Sequence, residues 1–238
     1  MANLTGSERA RYVQGMFTQI AGRYDLMNRI MTGGQDVAWR REAIHRCALQ
    51  PGQRLLDLGA GTGDLAREAL RQSPGVQVTA ADFTLEMMRI GRQRHAARDP
   101  HGLNWSAADA TRLPFPAESF DAVVSGFLLR NVNDLPLSLS EQYRVLRPGG
   151  RFVSLDTTPP PNNLLKPFIR IHLHYIIPAL GRLIAGQADA YTYLPESTEG
   201  FLRPEQTAVR LQEAGFEQVG FAPRMFGTMA IHWGRKPG

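Results

Sequence analysis

A glycine-rich turn is the segment of this 238-residue sequence whose residue types most directly indicate chemistry. Asp57 lies near the end of a short apolar run, and Gly59, Gly61 and Gly63 follow it at alternate positions. Glycines there let the backbone approach a ligand closely, and the start of the next helix offers free N–H groups to an anionic end. A dinucleotide fingerprint would need Gly or Ala where this sequence has Asp64, and a P-loop would need a lysine. The turn therefore matches neither of these two diphosphate-binding patterns.

Two more acids follow the next two predicted strands. Asp82 ends the second strand, where a carboxylate can accept hydrogen bonds from both hydroxyls of a ribose, and Asp109 follows the third strand. Each acid alone would be an ordinary helix cap or turn residue. Open α/β sheets bind ligands at the carboxyl ends of their parallel strands, so the glycine turn and the two acids together predict one ligand site.

An alternation of strand-like and helix-like segments must position these residues. Apolar runs predict five strands, at residues 54–58, 76–81, 103–107, 122–125 and 152–156. Helices are predicted between them, at 64–72, 84–98 and 135–146, and Pro148-Gly149-Gly150 is expected to end the last of these. Two final strands, at 216–221 and 229–233, flank a short turn and must pair antiparallel. The fold predicted is a doubly wound, mostly parallel α/β sheet with an antiparallel C-terminal hairpin.

Helical elements should cap this sheet. Residues 1–48 are predicted to form a helical segment that covers a substrate site, with Asp36 as the N-cap of its last helix. Residues 49–238 form the main domain, and the insertion at 159–201 is too long for a simple connection, which is typical of a functional segment. Its apolar residues recur at helix-like spacing among basic ones, so this segment could lie on an anionic membrane surface or pack as an ordinary lid.

Composition narrows the class of protein further. The net charge of +5 favours anionic partners, either nucleic acid or a lipid surface. The only cysteine, Cys47, excludes an internal disulfide and a multi-cysteine zinc site and fits a reducing cytoplasm. His172 and His174 have no carboxylate or thiol partner at metal-site spacing, so no metal is expected. No apolar run is long enough to span a bilayer.

Five further motifs lie outside the glycine turn: Tyr24-Asp25-Leu26-Met27-Asn28, Trp39-Arg40-Arg41, Leu129-Arg130-Asn131-Val132, the run from Arg144 to Phe152, and the run from Ala190 to Ser197. They resemble motifs of the S-adenosylmethionine-dependent C-methyltransferases of ubiquinone and menaquinone biosynthesis. The resemblance implies a class I, Rossmann-like methyltransferase with a seven-stranded sheet. The implied reaction places a methyl group on a ring carbon of a prenylated hydroquinone, with demethylmenaquinol expected first. The ubiquinone branch and a natural-product methyltransferase remain alternatives.

The resemblance also implies site residues. S-adenosylmethionine would be bound by Asp57, Gly59, Gly61, Thr62, Asp82, Asp109, Ala110 and Gly126. Arg130 and Asn131 would be catalytic, and the substrate would lie against Tyr24, Asn28, His174 and Tyr193.

Arg130 cannot serve as a free base, because a guanidinium stays protonated in proteins. It could stabilise a developing phenolate or orient a water that takes the proton. Alternatively, Arg130 could simply pair with Asp134. Three candidates for the base are a water near Asp109, the His174 side chain and the His232 side chain.

Two departures from the family pattern lie in the expected site. Gly126 stands where the family usually has serine, and Asp156-Thr157-Thr158 stands where Glu-x-Ser is usual. Both keep the natural-product alternative open. The expected partners are a prenylated hydroquinone and, through weak contact, the inner face of an anionic membrane. A homodimer is an alternative to a monomer.

A nucleic-acid methyltransferase is the main alternative enzyme class, because a basic protein could bind an anionic nucleic acid. Enzymes that methylate nucleic-acid amines carry an Asn/Asp-Pro-Pro-aromatic motif after the fourth strand, where this chain has Ser125-Gly126-Phe127-Leu128. Pyrimidine C5 methylation needs a cysteine near the same pocket, whereas Cys47 precedes the first strand. No nucleic acid partner is therefore expected.

Overall fold

The computed structural model describes residues 6–96, 103–185 and 188–238. Within these residues one seven-stranded sheet has the order β3-β2-β1-β4-β5-β7-β6. The first five strands are parallel, and β7 runs antiparallel between β5 and β6. The strands are β1 (Arg54–Leu58), β2 (Gln77–Asp82), β3 (Leu103–Ala107), β4 (Phe120–Gly126), β5 (Leu146–Thr157), β6 (Glu217–Arg224) and β7 (Met229–Arg235). The predicted doubly wound fold is confirmed.

Helices cover both faces of this sheet and its carboxyl edge. They are α1 (Gly6–Ile20), α2 (Tyr24–Met31), α3 (Gln35–Cys47), α4 (Asp64–Gln72), α5 (Leu85–Ala96), α6 (Leu135–Val145), α7 (Lys166–Ile171), α8 (Ile177–Leu180), α9 (Ala188–Glu199) and α10 (Pro204–Glu213). Two π-helical turns, His172–Ile176 and Gly181–Ala185, make residues 166–185 continuously helical. None of these described helices is long and apolar enough to cross a bilayer. The predicted end of the 84–98 helix lies outside the described residues.

The core follows from the alternation of side chains along each strand. Leu55 and Val124 are fully buried on the face covered by α3 and α4, whereas their neighbours Leu56 and Val123 are fully buried on the opposite face. Because successive strand residues point to opposite sides, a strand that is apolar at every position must be covered on both. The continuous apolar runs of β1 and β4 therefore require the two helical layers.

The N-terminal helices do not form one unit. Trp39 and Ala43 of α3 pack in the main core against the sheet, so α3 belongs to the α/β body and not to a cap. In contrast, α1 and α2 share a separate small core with the insertion, formed by Met16, Ile20, Met27, Leu173, Ile177 and Tyr191. The cap over the carboxyl edge is thus built from residues 6–31 together with the insertion.

Asp36 does not cap α3, contrary to the prediction. The helix begins at Gln35, two residues before the predicted start at Val37, and its N-cap is Gly34 in the left-handed region (φ 79°). Asp36 is fully buried and forms ion pairs with Arg29 and with Arg40, the latter at 3.7 Å. A buried carboxylate needs charged partners, and these two arginines supply them.

Pro148-Gly149-Gly150 does not end the preceding helix either. Helix α6 ends at Val145, and Leu146 already pairs with Phe120 as the first residue of β5. The register between β4 and β5 shifts between Phe120 and Ala122, so the glycines lie in an irregular part of the strand itself.

Candidate active site

A cavity of about 150 Å³ lies at the carboxyl ends of β1, β2 and β4. Gly59 and Gly61 line it with positive φ angles of 69° and 57°. A Cβ on Gly59 would lie 3.0 Å from a Leu128 methyl carbon, and one on Gly61 would lie 3.2 Å from the Met87 methyl. Both the backbone conformation and the close packing therefore require glycine.

Asp82 fixes the conformation of this glycine turn. One carboxylate oxygen accepts from the Gly61 N–H at 2.7 Å, and the other accepts from the Thr84 N–H at 2.6 Å. Burial raises the pKa of Asp82, and the backbone N–H groups oppose that rise. Each oxygen retains acceptor capacity, so Asp82 can still receive ligand hydroxyls from the cavity that it lines.

Four other residues assigned to the cofactor also line this cavity: Thr62, Asp109, Ala110 and Gly126. Asp109 is exposed and accepts from both the N–H and the hydroxyl of Thr111, at 2.8 and 2.7 Å. A Cβ on Gly126 would lie 3.0 Å from a Leu65 methyl carbon. The glycine that departs from the family pattern therefore accommodates Leu65.

Thr62 connects the glycine turn to the cap. Its hydroxyl donates to the Asp25 carboxylate, with oxygen–oxygen distances of 2.8 and 2.9 Å, and Arg94 pairs with the same carboxylate. Arg29 of α2 also donates to Asp64 at 2.8 Å. The start of α2 is therefore held over the cavity by polar contacts with the turn that forms its floor.

Asp57, in contrast, does not line the cavity. It is fully buried behind the turn and accepts from the Ala66 N–H at 2.9 Å, so it braces the first turn of α4. Burial raises the pKa of Asp57 to about 7, and the nearby Asp82 carboxylate adds to that rise. The direct ligand contact expected from the motif is replaced by support of the helix start.

The raised pKa of Asp57 predicts a specific pH dependence of stability. Between about pH 4 and pH 7 the folded chain keeps a proton that the unfolded chain has released. The free energy of unfolding therefore decreases as pH rises through this window. The free energy of unfolding of the wild type, relative to Asp57→Asn, should fall by on the order of 4 kcal/mol over this window. Denaturant unfolding of both proteins from pH 4.5 to 7.5 measures it. Parallel stability curves would show that Asp57 does not titrate abnormally.

A second cavity, of about 420 Å³, adjoins the first and is walled mainly by apolar side chains of α1, α2 and the insertion. Phe17, Tyr24 and Phe127 line both cavities and form the boundary between them. Burial raises the pKa of Tyr24, and Arg40 and the adjacent Asn28 side chain oppose that rise. Asn28 lines the second cavity and is 8% exposed.

Arg130 reaches the second cavity from the sheet edge. It is buried and forms an ion pair with the equally buried Asp156, whose carboxylate also accepts from the Arg130 N–H at 3.3 Å. The alternative pairing with Asp134 is wrong, because that carboxylate caps α6 by accepting from the Leu137 N–H at 2.9 Å. The Arg130 guanidinium also lies 5.4 Å from the centre of the Phe127 ring. Asp156, a departure from the family pattern, is thus the counter-ion of Arg130.

Asn131 and Tyr193 connect the two cavities through a hydrogen bond. The Tyr193 hydroxyl, on the side of the second cavity, donates to the Asn131 amide oxygen at 3.0 Å. The Asn131 amide nitrogen donates to the Phe127 carbonyl at 2.8 Å, and the residue lines the first cavity. Asn131 is therefore held in position between the two cavities.

The histidines are placed differently from the prediction. His174 lines neither cavity; it lies at the surface and pairs with Glu199 at 3.2 Å. His172, two residues earlier, lines the second cavity instead. His232 is buried, its Nε2 lies 3.1 Å from the Pro204 carbonyl, and burial lowers its pKa. The described residues contain no cluster of ligands suited to a metal ion.

Sequence reasoning also missed Tyr191, which lines the second cavity although the prediction named Tyr193. Tyr191 and Tyr193 are separated by one residue and both line the cavity, so their alternation within Ala190–Ser197 was the available signal.

The sheet order and the glycine-turn cavity define the class I methyltransferase fold. The structure is similar to phosphoethanolamine N-methyltransferase 2 of Haemonchus contortus in complex with S-adenosyl-L-methionine, with a TM-score of 0.65 at 18% identity over 84% of this chain and 53% of that one. It is also similar to the [4+2]-cyclase SpnF, with a TM-score of 0.68 at 18% identity over 94% and 95% of the two chains. Likeness at this level of identity shows the fold alone.

The sequence comparisons are more specific. The ubiE/COQ5 methyltransferase family is matched over residues 4–236, and the chain belongs to that family. It is 46% identical to the ubiquinone/menaquinone biosynthesis C-methyltransferase UbiE of Desulfotalea psychrophila, over 94% of this chain and 90% of the relative. It is 43% identical to the demethylmenaquinone methyltransferase of Thermus thermophilus, over 93% and 100% of the two chains. The predicted family, the methyltransferase class and S-adenosylmethionine as cofactor are confirmed.

Proposed function

We propose that this enzyme methylates a ring carbon of a prenylated hydroquinone, converting demethylmenaquinol to menaquinol. The observation that carries the proposal is the apolar second cavity, which holds the buried Arg130–Asp156 pair and shares three aromatic wall residues with the glycine-turn cavity. An apolar ring with a tail fits such a cavity, and its hydroxyls need the few polar groups that line it. The relatives from Desulfotalea psychrophila and Thermus thermophilus carry names that refer to this quinone chemistry.

The residues of the first cavity fit S-adenosylmethionine. Any side chain at Gly59 or Gly61 would be strained and crowded, and Asp82 and Asp109 place carboxylates on the same cavity for polar ligand groups. When bound there, S-adenosylmethionine supplies an electrophilic methyl group on a positively charged sulfur. Phe17, Tyr24 and Phe127 place aromatic rings at the boundary where the two ligands would meet.

Arg130 supplies the electrostatic part of the mechanism. A ring carbon becomes nucleophilic when the neighbouring hydroxyl loses its proton, and a fixed guanidinium stabilises the phenolate that results. The ion pair with Asp156 holds the guanidinium in place before substrate arrives, so little reorganisation is needed. Of His172, His174 and His232, His172 is the one that lines this cavity, and it replaces His174 as the candidate to accept the proton.

The outer face of the insertion supports weak contact with an anionic membrane surface, which would present the tailed substrate. The predicted apolar stripe divides into two faces: Leu173 and Ile177 are buried in the small core of the cap, whereas Leu164 is 92% exposed. Leu183, beyond that stripe, is 82% exposed. Arg170 on the same segment is largely exposed. Exposed apolar residues beside basic ones are typical of segments that lie in a lipid interface.

Replacing Leu164 and Leu183 together by glutamine should weaken binding to anionic phospholipid vesicles by at least about 10-fold. Neither side chain lines a cavity, so turnover of a short-chain, water-soluble substrate should be unchanged. Vesicle co-sedimentation measures the binding, which should also weaken as salt is added. Val209→Gln, an exposed apolar residue on α10, is the matched control and should bind as the wild type does. Equal binding by all three proteins would contradict membrane contact through the insertion.

Complementation tests the proposed function in a cell. A bacterium that lacks its quinone C-methyltransferase should regain methylated menaquinone when it expresses this chain, as seen by mass analysis of extracted quinones. Failure to restore the methyl group, despite folded protein that binds S-adenosylmethionine, would favour the natural-product alternative. Restoration of ubiquinone alone would move the substrate to the other branch.

A further inference from the structure

The second cavity contains several buried polar atoms that have no hydrogen-bond partner within the described part of the chain. They are the amide nitrogen of Asn28, Nε of Arg130, Nε2 of His172 and the hydroxyl of Tyr191. Buried polar groups are normally paired, so each exception calls for an explanation. Four exceptions around one apolar cavity indicate a ligand that carries polar groups of its own.

Tyr191 is the most rigidly placed of these groups. It is 4% exposed, and its ring lies so close to Gly181 that a Cβ there would be 2.3 Å from a ring carbon. Its position is therefore set by packing and not by its hydroxyl. Burial raises the pKa of Tyr191 to about 12, and the proximity of Tyr24 adds to the rise, so the hydroxyl stays a donor at neutral pH. The neighbouring Tyr193 differs, because its hydroxyl already donates to Asn131.

The unpaired groups come from two different parts of the fold. Arg130 follows β4 and approaches from the sheet edge, whereas Tyr191 belongs to α9 and Asn28 to α2, both in the cap. A 1,4-hydroquinone has its two oxygens on opposite sides of the ring. Polar groups on two walls of an otherwise apolar cavity therefore match such a ring better than a phenol with a single oxygen.

We propose that the Tyr191 hydroxyl, together with the Asn28 amide, binds the ring oxygen opposite the one that Arg130 stabilises. The proposal rests on the proposed function and specifies which class of ring the site accepts. Held at both oxygens, the ring presents one carbon toward the first cavity and cannot turn about its long axis. A site built to bind a hydroxyl discriminates strongly against an analogue that lacks it, because its own polar groups are then left unpaired.

The test crosses two variants with two substrates. Tyr191→Phe removes only the hydroxyl, and Tyr175→Phe, on an exposed tyrosine that lines neither cavity, is the matched control. One substrate is a short-chain prenylated 1,4-naphthoquinol, and the other is the matching naphthol that keeps only the hydroxyl next to the methylated carbon. For the quinol, Tyr191→Phe should lower kcat/KM by about 10-fold or more. For the naphthol, wild type and Tyr191→Phe should have the same kcat/KM, while Tyr175→Phe behaves as wild type with both.

Thermal unfolding separates binding from packing. Since Tyr191→Phe removes an unpaired buried hydroxyl, its Tm should equal or exceed that of the wild type. An unchanged kcat/KM for the quinol, an equal loss with both substrates, or a lowered Tm would each overturn the role of Tyr191. A wild-type enzyme that methylates neither ring would instead overturn the proposed function, and with it the proposed contact between Tyr191 and the ring oxygen.

Discussion

Arg130→Ala should lower kcat by about 10²–10³-fold while the affinity for S-adenosylmethionine changes little. Arg130 lines the second cavity and is absent from the lining of the glycine-turn cavity, so its loss should remove the proposed stabilisation of the phenolate and leave the cofactor contacts in place. An interaction that strengthens in the transition state lowers turnover more than ground-state binding. Single-turnover kinetics and calorimetric titration of the cofactor measure the two effects separately.

Stability needs its own control in this experiment, because Arg130→Ala leaves the buried Asp156 carboxylate without a counter-ion. Breaking a buried pair in this way costs about 3–5 kcal/mol. Combining Arg130→Met with Asp156→Asn removes both charges and should recover most of that stability, but not the turnover. Near-normal turnover in either protein would show that Arg130 has only a structural role.

Asp82→Ala should weaken S-adenosylmethionine binding by at least about 10-fold, for two structural reasons. The change removes an acceptor for ligand hydroxyls and also frees the Gly61 and Thr84 N–H groups that Asp82 now holds. The glycine turn would then lose the conformation that shapes the cavity. Isothermal titration calorimetry measures the affinity directly.

Asp121→Ala is the matched control for Asp82→Ala. Asp121 is also a hydrogen-bonded acid on a strand, but it lies near the start of β4, at the opposite edge of the sheet, where it accepts from Arg147 and from the Arg54 N–H. This variant should lose some stability and keep its cofactor affinity. An unchanged affinity in Asp82→Ala would remove that carboxylate from the cofactor site.

The fold and the first cavity could be predicted because their signals are local. The apolar runs, the glycine turn and the acids at strand ends each occupy a few consecutive residues, and parallel strands bring their carboxyl ends to one edge. Asp57 shows the limit of such a motif. The sequence places Asp57 beside the glycine turn, but only the position of α4 shows that its carboxylate accepts a hydrogen bond from the Ala66 N–H.

The second cavity was harder to predict because its contacts join distant parts of the chain. Arg130, in the turn after β4, pairs with Asp156 on the neighbouring strand β5, whereas Asp134 is nearer in sequence. In the insertion, Ile169, His172 and Leu173 all line the second cavity and follow the i, i+3, i+4 spacing of one helix face. His174 does not belong to that face and lies at the surface.

Methyl transfer to a defined ring carbon is the most direct test of the whole account. Purified enzyme would receive S-adenosylmethionine with an isotopically labelled methyl group and short-chain demethylmenaquinol, kept reduced under anaerobic conditions. The account predicts a product heavier by one labelled methyl group, located by NMR on the ring carbon beside a hydroxyl, and no product from the oxidised quinone. A methyl group on oxygen, or no transfer by protein that binds the cofactor, would contradict it.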